Sequence, residues 1–178
     1  MAHFAVSAVG ADRPGIVAAV TGAFLDHGCN LEDTSMTILR GHFAMMLVVD
    51  APAGYDAAAL EDALVGRSSA FDLVVSVRPM PEDVPSSPDG DRWTVSVYGA
   101  DRPGIVHRVT ATLAEQGINI VDLSTRVIGD AARPVYAMLL DVTMPAGVDG
   151  VLVHDGLRAL GHELGIECSM HPSEADIL

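Results

Sequence analysis

The chain contains no lysine, so all ten of its strong cations are arginines, set against 24 aspartates and glutamates. Without lysine there can be no phosphate loop of the Walker A type, whose lysine reaches the phosphates. A Schiff-base cofactor site and a lysine nucleophile are excluded on the same ground. The arginines are scattered and form no run, and the net charge is −14. A chain with that field is repelled by a phosphate backbone, so direct nucleic-acid binding is not expected. The two cysteines, Cys29 and Cys168, form no CxxC pair and no disulfide framework, which points to a reducing cytoplasm. No uninterrupted apolar run approaches the roughly 18 residues of a membrane span. The amino-terminal Met-Ala-His-Phe-Ala-Val has no basic region before its apolar residues, so no signal peptide is expected. The seven histidines show no i,i+4 pair and no ligand spacing with cysteine, so neither metal nor other cofactor is implied. GxSxG, HExxH and kinase motifs are all missing.

What is present is a repeat. Gly-Ala-Asp-Arg-Pro-Gly-Ile-Val occurs at 10–17 and again at 99–106. The match continues at an offset of 89 through Val20/Val109, Thr21/Thr110, Gly28/Gly117, Asn30/Asn119, Asp33/Asp122 and Ser35/Ser124. After a four-residue insertion the offset becomes 93, pairing Ala44-Met45 with Ala137-Met138 and Pro52-Ala53-Gly54 with Pro145-Ala146-Gly147. Solenoid repeats run about 20–50 residues, so this longer period means two autonomous domains in tandem. The expected division is residues 1–80, a proline-rich acidic linker 81–91, and residues 92–178.

Each copy carries the same local pattern. Residues 3–9 and 93–98 read as a first strand. Pro14 and Pro103 mark a helix start, with Asp12 and Asp101 as expected N-caps. Ile16, Val17, Val20, Ala23 and Phe24 form one expected helical stripe, and Ile105, Val106, Val109 and Leu113 its counterpart. Gly28 and Gly117 end these helices. Strands 30–40 and 43–50 join through Arg40-Gly41-His42, and strands 119–128 and 134–143 through the longer turn 129–134. A second helix is expected over 55–66 and 149–163, then a last strand over 71–78 and 166–171. The fold class is α+β: two βαββαβ units of ferredoxin-like type, each an antiparallel sheet with its helices on one face. Polar sets Asp33, Ser35, Thr37 and Asp122, Ser124, Arg126 lie on the middle strands, and two copies are expected to join sheet edges, within the chain or between chains.

The repeated loop is the candidate site. Gly15 and Gly104 leave the amides of the first helical turn, including those of Ile16 and Ile105, open to a carboxylate. Asp12 and Asp101 beside them offer a receptor for an ammonium group. Together these are the two halves of an α-amino acid receptor, and Asn30 and Asn119 can donate and accept hydrogen bonds. Asp-x-Pro-Gly is also the signature of a well-capped helix, and Asn30 alone also reads as a turn residue. Cys29 next to Asn30 reads either as a reactive thiol or as a small buried residue, the second favoured by its counterpart Ile118.

Strand, Gly-x-Asp-Arg-Pro-Gly-Ile, helix, Gly-x-Asn-Ile/Leu, strand resembles the ACT domain, a small regulatory amino-acid-binding module. Two such domains cover essentially the whole chain. The stretch Ala8 to Ser35, above all Gly-Cys-Asn-Leu-Glu-Asp at 28–33, resembles the glycine cleavage system transcriptional repressor family. The resemblance implies ligand contacts from Asp12, Gly15, Ile16 and Asn30, and from Asp101, Gly104, Ile105 and Asn119, where the first loop of one domain faces the second strand of a neighbour. Serine-binding relatives carry His and Asn where this chain has Gly10 and Asp12. The resemblance further implies a cytoplasmic, non-catalytic homodimer that binds glycine or serine and represses glycine-cleavage-type genes through a DNA-binding partner protein. The alternatives are a stand-alone relative of the ACT domain of formyltetrahydrofolate deformylase and a ligand-free dimerisation module.

Overall fold

A computed structural model describes residues 2–81, 90–129 and 134–173. The chain divides into two compact units, residues 1–84 and 85–178. The expected linker lies largely outside the described residues, as do positions 130–133 of the second hairpin turn.

The first unit runs β1 (Ala2–Ala11), α1 (Ile16–Asp26), β2 (Asn30–Leu39), β3 (His42–Ala51), α2 (Ala57–Ser68) and β4 (Val74–Pro79). One turn of 3-10 helix, Ser69–Phe71, follows α2. The second unit runs β5 (Gly90–Gly99), α3 (Ile105–Glu115), β6 (Asn119–Ile128), β7 (Val135–Pro145), α4 (Gly150–Leu164) and β8 (Ile166–Pro172). The sheets have orders β2-β3-β1-β4 and β6-β7-β5-β8, and every pairing is antiparallel. Each unit is therefore the βαββαβ arrangement read from the repeat.

The cores follow from period-two alternation in the central strands. Phe4, Val6 and Ala8 of β1 and Phe43, Met45, Leu47 and Val49 of β3 turn one way and are buried. Ile16, Val20, Ala23 and Phe24 of α1 and Leu60 and Leu64 of α2 close over them. Val95, Val97, Met138, Leu140 and Val142 meet Ile105, Val109, Leu113, Val153 and Leu157 in the same way. The expected helical stripes need one correction. Val17 is 40% exposed and Val106 38%, whereas Ile16 and Ile105 are almost fully buried. Adjacent residues on a helix stand about 100° apart, so the narrow buried stripe takes the isoleucine of each pair and excludes the valine.

Both first helices end alike. The amide of Cys29 donates to the carbonyl of Phe24 at 2.9 Å and that of Gly28 to Leu25 at 3.2 Å, with Gly28 at φ +66°. In the second unit Ile118 donates to Leu113 and Gly117 to Ala114, with Gly117 at φ +70°. This is the Schellman closure, and its packed residue just past the glycine is Cys29 in one unit and Ile118 in the other. Arg40 and Gly41, both left-handed, make the two-residue turn that pairs Leu39 with His42. A bulge interrupts each edge strand at the same place, between Leu31 and Asp33 and between Ile120 and Asp122.

The paired loops and the open edge strands

Each loop is placed by its strand. Gly10, the last but one residue of β1, lies against the next edge: a Cβ there would lie 2.6 Å from Leu73 Cδ2. Gly99 meets Ile166 at 2.6 Å in the same way. These glycines serve the packing of β1 on β4 and of β5 on β8. The chain then turns, and Gly15 at φ +98° or Gly104 at φ +92° starts the helix. The N-cap is therefore a left-handed glycine with no side chain to offer, which corrects the expectation that Asp12 and Asp101 cap α1 and α3. A capping side chain must occupy the residue just before the helix; here that position is Gly15, three residues after Asp12.

Released from capping, Asp12 is exposed, and its own amide donates to the carbonyl of Gly41 at 2.9 Å. It lines a depression with Gly15, Ile16, Val17, Thr21, Met36 and Phe43. The Ile16 and Ile105 side chains belong to the core, so what these residues can present to a ligand is the amide N–H. The loop thus gathers Asp12, Gly15 and Ile16 at the amino-terminal end of α1.

It does not gather Asn30. Asn30 opens β2 and pairs with Asp50, which pairs with His3. Asp12 lies nine residues further along that direction, about 30 Å away at the ordinary rise of a strand. Asn119, paired with Thr143, is displaced from Asp101 in the same sense. Within one unit the aspartate and asparagine therefore occupy opposite ends of the sheet.

Two features were not read from the sequence. The arginine of the repeated motif reaches across to the end of the second helix. Arg13 Nη1 donates to the carbonyl of Ala70 at 3.5 Å, and Arg102 Nη1 to that of Leu164 at 3.0 Å. Its presence in an identical octapeptide was the available signal; a partner 57 or 62 residues away was not. The walls also differ. Met36 and Phe43 of the first unit correspond to Thr125 and Tyr136 of the second. Burial pushes the Tyr136 phenol up, a hydrogen bond with Thr125 pulls it down, and the carboxylate of Asp101 raises it again.

Cys29 is half-buried, and burial followed by the nearby Asp50 carboxylate pushes its thiol up. Cys168 is buried and its thiol is pushed up by burial alone. Both are thus held as thiols, the opposite of nucleophile activation. His27 hydrogen-bonds the Tyr55 hydroxyl, the two rings meeting edge to face. Among the described residues no three His, Cys, Asp or Glu side chains gather as metal ligands.

The models of the ACT domain match residues 2–78 and 93–152. The chain belongs to the ACT-domain family, with two copies in tandem. It is 28% identical to the glycine cleavage system transcriptional repressor of Escherichia coli, over 95% of this chain and 89% of that one. A crystal structure of an unknown protein from Galdieria sulphuraria superimposes with TM-score 0.82 at 30% identity, covering 97% of this chain and 99% of that one. A solved structure assigned provisionally to the glycine cleavage system transcriptional repressors shares the fold, with TM-score 0.68 at 22% identity and 96% of each chain covered. The chain is thus similar over nearly its full length to a regulatory protein, and no helix among its described residues is long and apolar enough to cross a membrane.

Proposed function

We propose that this chain is a non-catalytic regulator that binds a small amino acid of the glycine or serine class at its repeated loops and reports occupancy to a protein partner. The observation that carries this reading is the loop itself, built twice from one octapeptide. In each copy an exposed aspartate that caps nothing stands beside a helix whose first amides follow a side-chain-free glycine. The amides suit a carboxylate and the aspartate suits an ammonium group. Asp12, Gly15, Ile16 and Asp101, Gly104, Ile105 are the contacts from the loop side.

The distance of Asn30 from Asp12 supports a homodimer. β2 is an unpaired edge of ten residues. Laid antiparallel on the same edge of a second copy, it puts Asn30 opposite Leu39, next to the turn that Asp12 bonds. Asn30 would then complete the neighbour's loop, as Asn119 would for a loop approached by β6. The edge suits pairing, since Met36, Ile38 and Leu39 are exposed on it without lysine or proline to block another strand.

Similarity to the Escherichia coli repressor supports control of glycine-cleavage-type genes, acting through a DNA-binding partner because a net charge of −14 opposes direct contact with DNA. Similarity to a regulatory protein supports a non-catalytic role, and 10-formyltetrahydrofolate should show no turnover. A thermal-shift screen against the twenty amino acids tests the central claim. A ligand at about 100 times its Kd adds about 2.7 kcal/mol and should raise Tm by several degrees. No shift with any amino acid would remove the sensing role. A mobility-shift assay at low salt tests the second claim, and a sequence-preferring complex of the protein alone with DNA would overturn it.

A further inference from the structure

The two edge strands on which a second copy can be laid, β2 and β6, are alike in length and unlike in charge. β6 ends its sheet beside β7, and every residue on it except Ile120 is exposed. Leu123 pairs with the buried Leu140 and Thr125 with the buried Met138, so these two turn toward the helices. Asp122, Ser124 and Arg126 alternate with them and stand on the other face of the sheet. The corresponding residues of β2 are Asp33, Ser35 and Thr37. The charges on β2 are thus both carboxylates, Glu32 and Asp33, whereas β6 carries one carboxylate and one guanidinium with Ser124 midway between them.

Across from Asp122 on β7 stands Asp141, a second carboxylate, and like charges directly opposite destabilise a strand pair. Asp141 accepts from the Thr94 hydroxyl at 3.0 Å. Across from Arg126 stands Ala137, which offers a guanidinium nothing to bond. Among the described residues no opposite charge lies within ion-pair distance of Asp122, Asp141 or Arg126. Val121, Leu123, Val127 and Ile128 are exposed along the same strand, and no lysine or proline on it turns another strand away.

We propose that β6 pairs antiparallel with β6 of a second copy about a two-fold axis at Ser124, so that each Asp122 meets the partner's Arg126. Residues directly opposite in such a pair share a face, with Cβ atoms about 4.5–5.5 Å apart. With Ser124 opposite itself, the residue two before it meets the residue two after it, once on each side of the axis. Each ion pair also brings a cation to the Asp122–Asp141 pair. A slip of one residue would set the wrong faces together, and a slip of two would part the charges. Laid on β2 of a second copy instead, β6 keeps only the contact of Arg126 with Asp33, and β2 laid on β2 keeps none. Counting the bulge at Val121, Asn119 falls opposite the partner's Ile128, at the end of the sheet where Gly99 pairs with Tyr136. The axis that closes the ion pairs therefore carries Asn119 toward the other copy's loop. This pairing rests on the reading of the chain as a homodimer and assigns its edge; its test uses no amino acid, so it can fail while ligand sensing stands.

The test is sedimentation equilibrium of the full chain and its charge-reversed variants at low salt. The unaltered chain should dimerise. Arg126→Asp and Asp122→Arg each set like charges opposite one another on both sides of the axis, and each alone should dimerise at least about tenfold more weakly. An equimolar mixture of the two variants should recover association, because every pair across the axis is then opposite in sign. Both reversals in one chain should recover it as well. Both positions are exposed, and recovery in the mixture shows that each variant is folded. Asp33→Arg, the same reversal on β2, should leave association within about twofold. A chain still monomeric at about 100 μM would overturn the proposal. Single reversals that dimerise as the unaltered chain does, a mixture that fails to recover, or a loss on Asp33→Arg equal to that on Asp122→Arg would each do the same.

Discussion

The two units share eight consecutive residues at the loop and a series of matched positions after it, yet the side chains that wall the loop differ. The backbone of the loop is duplicated faithfully, down to the left-handed glycine and the arginine that crosses to the second helix. The walls have diverged: Met36 and Phe43 in one unit, Thr125 and Tyr136 in the other. The β4 and β8 edges have diverged as well: Glu61 accepts from the amide of Val77 in the first unit, and His154 flanks the edge of the second. A main-chain receptor reads what all α-amino acids have in common, and side chains read what distinguishes them. Under the proposed function, this is the pattern of two receptors with one backbone grammar and separate selectivities.

The comparison breaks most visibly at the glycines near the ends of the first strands. An alanine at Gly99 would press on the Cα of Ile166 at 3.1 Å as well as on its side chain. At Gly10 the closest atom is the mobile end of Leu73, with the Asp72 carbonyl at 3.3 Å. Gly99→Ala should cost about 1–3 kcal/mol and Gly10→Ala distinctly less. Trp93, the sole tryptophan, reports urea unfolding of the second unit, and circular dichroism reports both. Equal costs would mean that the two strand ends are packed alike.

Asp12→Ala and Asp101→Ala come next. Because neither aspartate caps its helix, stability should change by less than about 0.5 kcal/mol, as at an ordinary surface position. Affinity for the amino acid found by thermal shift should fall about tenfold or more in each altered site, read by calorimetry. A loss of stability without a loss of affinity would return these residues to a structural role.

The walls can be exchanged. Met36→Thr with Thr125→Met, at the exposed wall positions, should move preference for a hydroxyl-bearing ligand from the second site toward the first, by the roughly five- to tenfold that one hydrogen bond supplies. Unaltered preference would show that the walls do not select.

The smallest effect is one of pH. Burial holds the Cys168 thiol above its ordinary value of about 8.5. The unfolded chain therefore loses this proton first as the pH climbs. Stability from this group is complete below the ordinary value and declines as the pH rises toward the folded one. Cys168→Val places there the residue that the first unit carries at Val75, and should flatten the alkaline decline in Trp93-detected stability. Cys29→Ile, copying Ile118, should do the same for the first unit. An unchanged decline would assign it to Tyr136 and Tyr55, whose phenols burial also raises.

Much of this was legible in the sequence because it is local or repeated. Strand alternation, the helix-ending glycines and the Arg40-Gly41 turn depend on near neighbours, and duplication separated them from chance. Three kinds of feature were not. The paired bulges at Glu32 and Val121 change which residue faces which without any compositional mark. The cap was misplaced because Asp12 is the preferred residue type, whereas the chain uses the conformation of Gly15 instead. The separation of Asn30 from Asp12 is not marked in the sequence, where both flank one helix; an 11-residue helix carries the chain back along the sheet, so within one unit its two ends are far apart.

The Arg102 contact has a mechanical consequence. A guanidinium is rigid and planar, and its stem leaves the same turn that presents Asp101 and the amides of α3. Its far end grips the carbonyl of Leu164, two residues past His162. A loop that closes on a ligand must either carry the last turn of α4 with it or let go of that carbonyl. The repeated loop and the last turn of α4 are two ends of one strut, and a displacement of one is passed to the other through a side chain rather than through the sheet.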